Sequence, residues 1–298
     1  MHKSGFVNII GRPNVGKSTL MNALVGERMS IITNKPQTTR HRIFGILSGD
    51  DFQIVFSDTP GVIKNPAYKM QEAMNRFAHS TFEDADLMLL VTEPNETYEN
   101  DDLIIRRLQQ IEVPLFLIIN KIDLSSQAQI LVLIEQWKAK LSFTKILPIS
   151  ALHQQGTQAL LNVILEYLPE GPAYFPTDQI TDRTERFFAS EIIREKILEL
   201  YEQEIPYSCE VDIEDFKDTE TKSGEALARI NAVIYVARKT QKAILIGKNG
   251  DAIKRLGTEA RKAIETFLDR KVFLELHVKV RENWRDDEQA LRRFGYQE

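Results

Sequence analysis

The run Phe6-Val7-Asn8-Ile9-Ile10 leads directly into Gly11-Arg12-Pro13-Asn14-Val15-Gly16-Lys17-Ser18, and Thr19 opens a helical pattern behind it. A strand, a turn of the form G-x-x-x-x-G-K-[ST] and a helix, in that order, make a phosphate-binding loop. Its glycines let the backbone wrap phosphates with the N–H groups turned inward, and the helix behind presents its positive end. Lys17 is placed to reach the β- and γ-phosphates, and the Ser18 hydroxyl to ligate Mg²⁺. A chance glycine-rich turn would rarely have strand and helix both in register.

Outward from this loop, short apolar runs alternate with helical stretches as far as Leu168. Phe6–Ile10, Gln53–Ser57, Leu87–Thr92, Leu115–Ile119 and Lys145–Ile149 read as buried strands, with Ile43–Leu47 beside the second. Gln71–Phe82 and Gln127–Leu141 read as helices between them. Such alternation predicts an α/β domain with a mostly parallel sheet and helices on both faces. Ligands then bind beyond the carboxyl ends of the strands.

Three further motifs fall at strand ends. Asp58-Thr59-Pro60-Gly61 follows Ser57; its carboxylate is placed to hold Mg²⁺ through water and the Gly61 N–H to meet the γ-phosphate. Asn120-Lys121-Ile122-Asp123 follows Ile119 and decides the base. The Asp123 carboxylate can accept from guanine N1–H and the exocyclic amine, an arrangement adenine does not offer, so ATP would leave a buried acceptor unpaired. Ser150-Ala151-Leu152, after the next strand, fits the weak fifth element whose backbone N–H meets the guanine oxygen. In the loop Lys35-Pro36-Gln37-Thr38-Thr39-Arg40, either Thr38 or Thr39 could ligate Mg²⁺ when the γ-phosphate is present, which makes the loop a sensor. Val62 stands where many GTPases carry a water-orienting glutamine, so the water must be positioned otherwise or hydrolysis is slow without a partner. Asn14 is a candidate ligand for K⁺, which would supply the charge an arginine finger supplies elsewhere.

Leu168-Pro169-Glu170-Gly171-Pro172, continuing to Pro176, ends the first pattern and opens a linker. The expected division is residues 1–170, a linker at 171–182, and a second domain with a C-terminal tail at 183–298. In the second domain, helix Phe187–Glu202, strands Ser208–Asp215 and Arg229–Tyr235, helices Asp251–Leu256 and Thr258–Leu268, and strand Phe273–Val280 give the order α-β-β-α-α-β. The turn Gly247-Lys248-Asn249-Gly250 precedes the first of the paired helices. Its glycines allow close approach to a phosphodiester backbone, Lys248 adds charge, and the helix start adds donors. Ile246, Gly247, Lys248, Asn249, Gly250, Lys254 and Arg255 are therefore the expected RNA-binding residues, with Ile244, Ile246 and Ile253 either flooring a base groove or filling the core.

Bulk properties agree. The 298 residues suit two domains, and 43% apolar residues suffice for a core in each. The single cysteine, Cys209, excludes an internal disulfide and fits a reducing compartment. No signal peptide is visible, and no uncharged run approaches the ~18 residues of a membrane span, although surface attachment stays open. The net charge of −5 argues against nucleic acid until its distribution is read. From Arg238 to Arg281 there are 12 basic against 5 acidic residues, a local +7; from Asp178 to Arg229 there are 7 against 15, a local −8.

Taken together, the phosphate loop Gly11–Thr19, Thr38-Thr39-Arg40, Asp58-Thr59-Pro60-Gly61 and Asn120-Lys121-Ile122-Asp123, joined to a domain with a G-x-x-G turn, resemble the bacterial Era GTPases. Ile180-Thr181-Asp182-Arg183, Glu191-Ile192-Ile193-Arg194-Glu195-Lys196, Ile205-Pro206-Tyr207-Ser208 and the tail Trp284-Arg285-Asp286-Asp287-Glu288 with Leu291 and Gly295-Tyr296 are similar to that family too. The resemblance implies a type II KH-like second domain and favours Thr39 as the switch threonine. Lys17, Thr39 and Gly61 are then the catalytic residues, with Ser18, Thr39 and water-linked Asp58 on the metal. It also implies GTP and GDP as substrate and product, binding to the 3′ end of small-subunit ribosomal RNA, assistance in 30S subunit assembly, RNA-stimulated hydrolysis, a cytoplasmic location with some peripheral inner-membrane contact, and no stable oligomer. An RNA-binding chaperone module with a structural nucleotide is the competing class; a P-loop kinase or ATPase is disfavoured by Asp123, and a tRNA-modification GTPase by the second domain.

Overall fold

A computed structural model describes residues 2–96, 98 and 102–296; positions 1, 97, 99–101 and 297–298 of the expected domains lie outside them. The chain divides into two compact units, Met1–Asn65 with Met74–Asp182, and Pro66–Ala73 with Arg183–Glu298.

The first unit runs β1 (Lys3–Ile10), α1 (Lys17–Val25), β2 (Ile43–Ser48), β3 (Phe52–Asp58), α2 (Lys69–Ser80, of which the part from Met74 on belongs to this unit), β4 (Leu87–Thr92), α3 (Leu103–Leu108), β5 (Leu115–Ile119), α4 (Gln127–Lys138), β6 (Lys145–Pro148) and α5 (Thr157–Tyr167). Its sheet has the order β2-β3-β1-β4-β5-β6. Only the edge strand β2 is antiparallel, through its pairing with β3. The central strands β4 and β5 are buried along their whole length, as continuous apolar runs covered on both faces require. Turns at the carboxyl ends of β1, β3, β5 and β6 consequently meet along one rim of the sheet.

Residues 169–182 do not leave this sheet directly. Ser4 N–H donates to Pro169 O and Gly171 N–H to His2 O. Gln53 grips the backbone at Tyr174 and Phe175 through both ends of its amide. Ile46 N–H donates to Ile180 O, and Phe44 N–H to the Asp182 carboxylate. The segment therefore covers the exposed edge of β2, which would otherwise offer unpaired backbone groups to another chain.

The second unit contains α6 (Glu185–Leu200), α7 (Ile205–Ser208), β7 (Cys209–Glu220), β8 (Ala226–Val236), α8 (Lys239–Ile246), α9 (Asp251–Leu268), β9 (Lys271–Val280) and α10 (Glu288–Arg293). Strands order as β7-β8-β9, with β7 antiparallel and β9 parallel to β8. The α-β-β-α-α-β order stands, but its paired helices differ from expectation. One is α8, which lies before the G-x-x-G turn; the other is the single helix α9, in which Asp251–Leu256 and Thr258–Leu268 are continuous. Gly257 looked like a break, yet a mid-helix glycine costs only about 1 kcal/mol. Leu256, Ala260, Ile264 and Leu268 supply a buried stripe that outweighs it. Part of the acidic surplus is locally paired: Asp212 with Arg293, Glu214 with Lys279, and Asp218 with Arg270.

Candidate nucleotide cleft and nucleic-acid interface

The loop between β1 and α1 turns through three residues of positive φ, at Gly11, Asn14 and Gly16. At Gly16 no side chain fits, since an added Cβ would lie 2.3 Å from Asn120 Nδ2. That contact is the centre of the site. Asn120 Nδ2 donates to Val15 O at 2.9 Å, and Asn120 Oδ1 accepts from Ala151 N–H at 2.9 Å. One amide thus ties the phosphate loop to the turns after β5 and β6. Lys121 adds a second tie, donating to Asn14 O at 2.6 Å and pairing with Glu93.

Beside this lies a cleft of about 450 Å³, lined among others by Pro13, Asn14, Gly16, Lys17, Ser18, Thr19, Thr39, Thr59, Gly61, Asn120, Lys121, Asp123, Ser150 and Leu152. Of the residues expected at the nucleotide, Gly11, Arg12, Val15, Asp58, Pro60 and Ala151 do not line it. Ile31, Ile32, Thr33, Asn34, Gln37 and Leu124 line it without having been expected. Leu124 and Leu152 are 68% and 72% exposed at the Asp123 end, where two apolar side chains can flank a planar base. For Leu124 the available signal was an apolar residue directly after the Asn120–Asp123 motif; Leu152 was already part of the Ser150–Leu152 element. His153 Nε2 stands 3.9 Å from the Asp123 carboxylate.

At the other end three oxygens converge. Ser18 Oγ donates to Asp58 Oδ2 at 2.6 Å and lies 3.0 Å from Thr39 Oγ1, which is itself 3.4 Å from Asp58 Oδ2. Thr38 is turned elsewhere, donating to Lys35 O at 2.6 Å. Asp58 is fully buried, and its second carboxylate oxygen has no hydrogen-bond partner. Burial pushes its pKa up, against the nearby Lys17 charge and the Ser18, Ser30 and Thr39 hydroxyls. Burial likewise pushes the Lys17 ammonium down, against Asp58 and Glu96. Each group gains from an added opposite charge: phosphate oxygens at Lys17, a hard cation at Asp58. Two hydroxyls and a carboxylate suit Mg²⁺, which takes few protein ligands and keeps its water. Val62 packs against the core around β4 and β5.

In the second unit, Gly247, Asn249 and Gly250 all have positive φ. A Cβ on Gly247 would come within 2.6 Å of Ala252 Cβ, so the turn closes onto α9 only with glycine there. Lys248, Asn249, Lys254 and Arg255 are exposed around it. Ile246 and Ile253 pack partly against the core, whereas Ile244 is 51% exposed. Beneath the turn the Tyr201 hydroxyl donates to Leu245 O at 2.9 Å, and burial pushes its pKa up to about 12. No helix among the described residues is long and apolar enough to cross a membrane.

Comparison with known proteins matches residues 6–121 to a family described as 50S ribosome-binding GTPase and residues 204–285 to the KH domain. GTPase Era of Syntrophus aciditrophicus is 49% identical over 100% of this chain and 96% of its own length. GTPase Era of Clostridium kluyveri is 45% identical over 99% and 100%. Among solved structures, an Aquifex aeolicus Era variant bound to GDP and aluminium fluoride superposes with TM-score 0.91 at 38% identity, covering 99% of both chains. An Era complex with MgGDPNP and nucleotides 1506–1542 of 16S ribosomal RNA gives TM-score 0.93 at 38% identity over the same share of each. With full-length relatives at this identity, a match to the GTPase model over residues 6–121 and a C-terminal KH domain, the chain belongs to the GTPase Era family.

Proposed function

We propose that this chain is a GTP-driven switch that binds the 3′ end of small-subunit ribosomal RNA and assists assembly of the 30S subunit. The observation that carries the reading is the convergence of Ser18, Thr39 and Asp58 beside a cleft that ends at Asp123. Asp123 reads guanine, Asn120 holds the loops that frame it, and Lys17 neutralises phosphate charge. Ser18 and Thr39 would hold Mg²⁺, with Asp58 behind it through water; bound there, the ion supplies charge stabilisation to the phosphates. Thr39 joins this set from a loop, so its position depends on the γ-phosphate, and the loop reports whether GTP or GDP is present. Gly61 N–H faces the γ-phosphate, and with Val62 turned into the core no side chain at that position orients the water. Turnover is therefore slow without a partner, on the order of 10⁻⁴ to 10⁻² s⁻¹. A K⁺ ion at Asn14 would add charge there, and a rate indifferent to exchange of K⁺ for Na⁺ would remove that element.

RNA lies along Ile246, the Gly247–Gly250 turn, Lys254 and Arg255, with the phosphodiester at the two glycines. The working units are 1–170 and 183–298, with 171–182 between them. The location is cytoplasmic with peripheral contact to the inner membrane face, tested by flotation with anionic vesicles. GTP hydrolysis with a single-stranded RNA from the 16S 3′ end, a scrambled RNA, and the Lys248→Glu variant tests the main reading. Acceleration by the cognate RNA that the variant abolishes is expected; an RNA that does not bind at all would sink the assignment of the second unit.

A further inference from the structure

Behind the phosphate loop lies a polar cluster that takes no part in the cleft. The Arg12 side chain turns away from the nucleotide end and toward the segment joining β4 to α3. Its Nη2 donates to Asp102 Oδ2 at 2.8 Å, and its guanidinium lies 4.2 Å from the centroid of the Tyr98 ring. The Arg12 backbone N–H donates to the Tyr98 hydroxyl at 3.3 Å. The loop is thus gripped at one residue through both side chain and backbone. The gripping groups are themselves fixed. Asp102 is the N-cap of α3, with Oδ1 accepting from Ile104 N–H at 3.0 Å. Tyr98 is buried and packs on Trp137, ring centroids 5.1 Å apart.

What is gripped bears on the chemistry. Lys17 Nζ donates to Gly11 O at 3.0 Å and to Arg12 O at 2.9 Å. An ammonium has three N–H donors, so two carbonyls of the loop take two and set the direction of the third. A loop with three residues of positive φ does not hold those carbonyls by regular backbone hydrogen bonding. We propose that Arg12 is a positioning residue for GTP hydrolysis: clamped by Asp102 and Tyr98, it holds the Gly11 and Arg12 carbonyls that aim the Lys17 ammonium at the phosphates. An arginine in such a loop invites reading as a phosphate-binding charge; here its charge faces the Asp102 carboxylate, the Glu96 carboxyl at 3.7 Å and the Tyr98 ring instead. The proposal rests on the reading of the cleft as the GTP site.

The test is single-turnover GTP hydrolysis at saturating nucleotide in the full chain, with GDP affinity and thermal unfolding measured alongside. The variants are Arg12→Gln, Arg12→Lys, Asp102→Asn and the double Arg12→Gln/Asp102→Asn. Asparagine caps a helix as well as aspartate, so Asp102→Asn removes the charge and keeps the α3 start. Misaimed by a fraction of an ångström to one ångström, Lys17 should lose on the order of 10- to 100-fold in rate, in both single variants. The double variant should fall no further than either single, because both break one clamp. Arg12→Lys should recover part of the loss, since lysine pairs with Asp102 but lacks the planar fork that stacks on Tyr98. A merely structural role predicts a lower unfolding temperature with the saturated rate unchanged; that result, or losses that multiply in the double variant, overturns the proposal. Should Arg12→Gln fail to fold, Tyr98→Phe decides by the same rate criterion, because it removes only the hydroxyl that accepts the Arg12 N–H. Wild-type protein inactive on GTP would overturn the site reading together with the clamp, whereas active wild type with unaffected variants refutes the clamp alone.

Discussion

Replacing Asn120 by alanine strikes two turns at once. The side chain is 2% exposed and makes one hydrogen bond to Val15 O and one from Ala151 N–H, each 2.9 Å. Both partners belong to residues that are themselves buried, at 1% and 3% exposure. Alanine leaves a carbonyl and an amide unpaired, and each such group costs about 1–3 kcal/mol, for a total on the order of 2–6 kcal/mol. Water entering from the cleft would pull the value toward the lower end. A domain is stable by only about 5–15 kcal/mol, so the loss is large. Urea unfolding of nucleotide-free protein should show the first unit's midpoint reduced with its slope unchanged. GDP titration should show weaker binding, because the phosphate loop and the turn at Ala151 lose their common support. Asn120→Asp sharpens the test. Its carboxylate still accepts from Ala151 N–H but sets a second oxygen against Val15 O, so it should be at least as destabilised at neutral pH. Held buried against a carbonyl, that carboxyl would have a raised pKa, and stability should return as pH falls through it, once a proton can be donated to Val15 O. A loss below about 0.5 kcal/mol with unaltered GDP binding, the range of an ordinary surface substitution, would refute the role assigned to this amide.

Other outcomes follow from the same contacts. Glu96 is raised to about 7 from 4.5, chiefly by burial, against its hydrogen bond with Thr92 and the Arg12 charge. The native state therefore holds this proton more tightly than the unfolded chain, and the associated stability is complete below pH 4.5 and lost as pH rises through about 7. The change is at most about 3 kcal/mol, and Glu96→Gln should flatten that part of the stability–pH curve measured by urea unfolding. Asp123→Asn exchanges one acceptor oxygen for a donor and should weaken GDP binding on the order of 10²-fold or more, with the unfolding midpoint of the free protein unchanged. Tyr201→Phe leaves Leu245 O without its donor; a loss of about 1 kcal/mol in the second unit, with weaker binding of a short single-stranded RNA, is expected.

The parts legible in the sequence were those written in local pattern. Continuous apolar runs gave β4 and β5, because strands covered on both faces need no alternation, and each motif stood at the end of such a run. The order of these motifs then fixed which strand ends form one rim. Local pattern misled in the second unit, where Gly257 suggested two helices and the short stretch Lys239–Ile246, polar at its start and apolar at its end, suggested none. Helix α8 is held instead by its position, with Leu245 buried and its carbonyl accepting from Tyr201.

Sequence by itself therefore determined the layered α/β unit, the placing of the Asn120–Asp123 motif at the end of β5, and the KH-like arrangement with its G-x-x-G turn. Tertiary structure alone decided that Thr39 rather than Thr38 meets Ser18 and Asp58, and that Asn120 joins residues on either side of the cleft. It also turned Arg12 away from the cleft onto Asp102 and Tyr98, and laid residues 169–182 along the sheet instead of leaving them as a tether. The physical reason is common to all four. Periodicity and turn chemistry act between neighbours in sequence, whereas these contacts are single hydrogen bonds or ring stackings between residues roughly 20 to 170 positions apart, whose partners meet only once the sheet has formed.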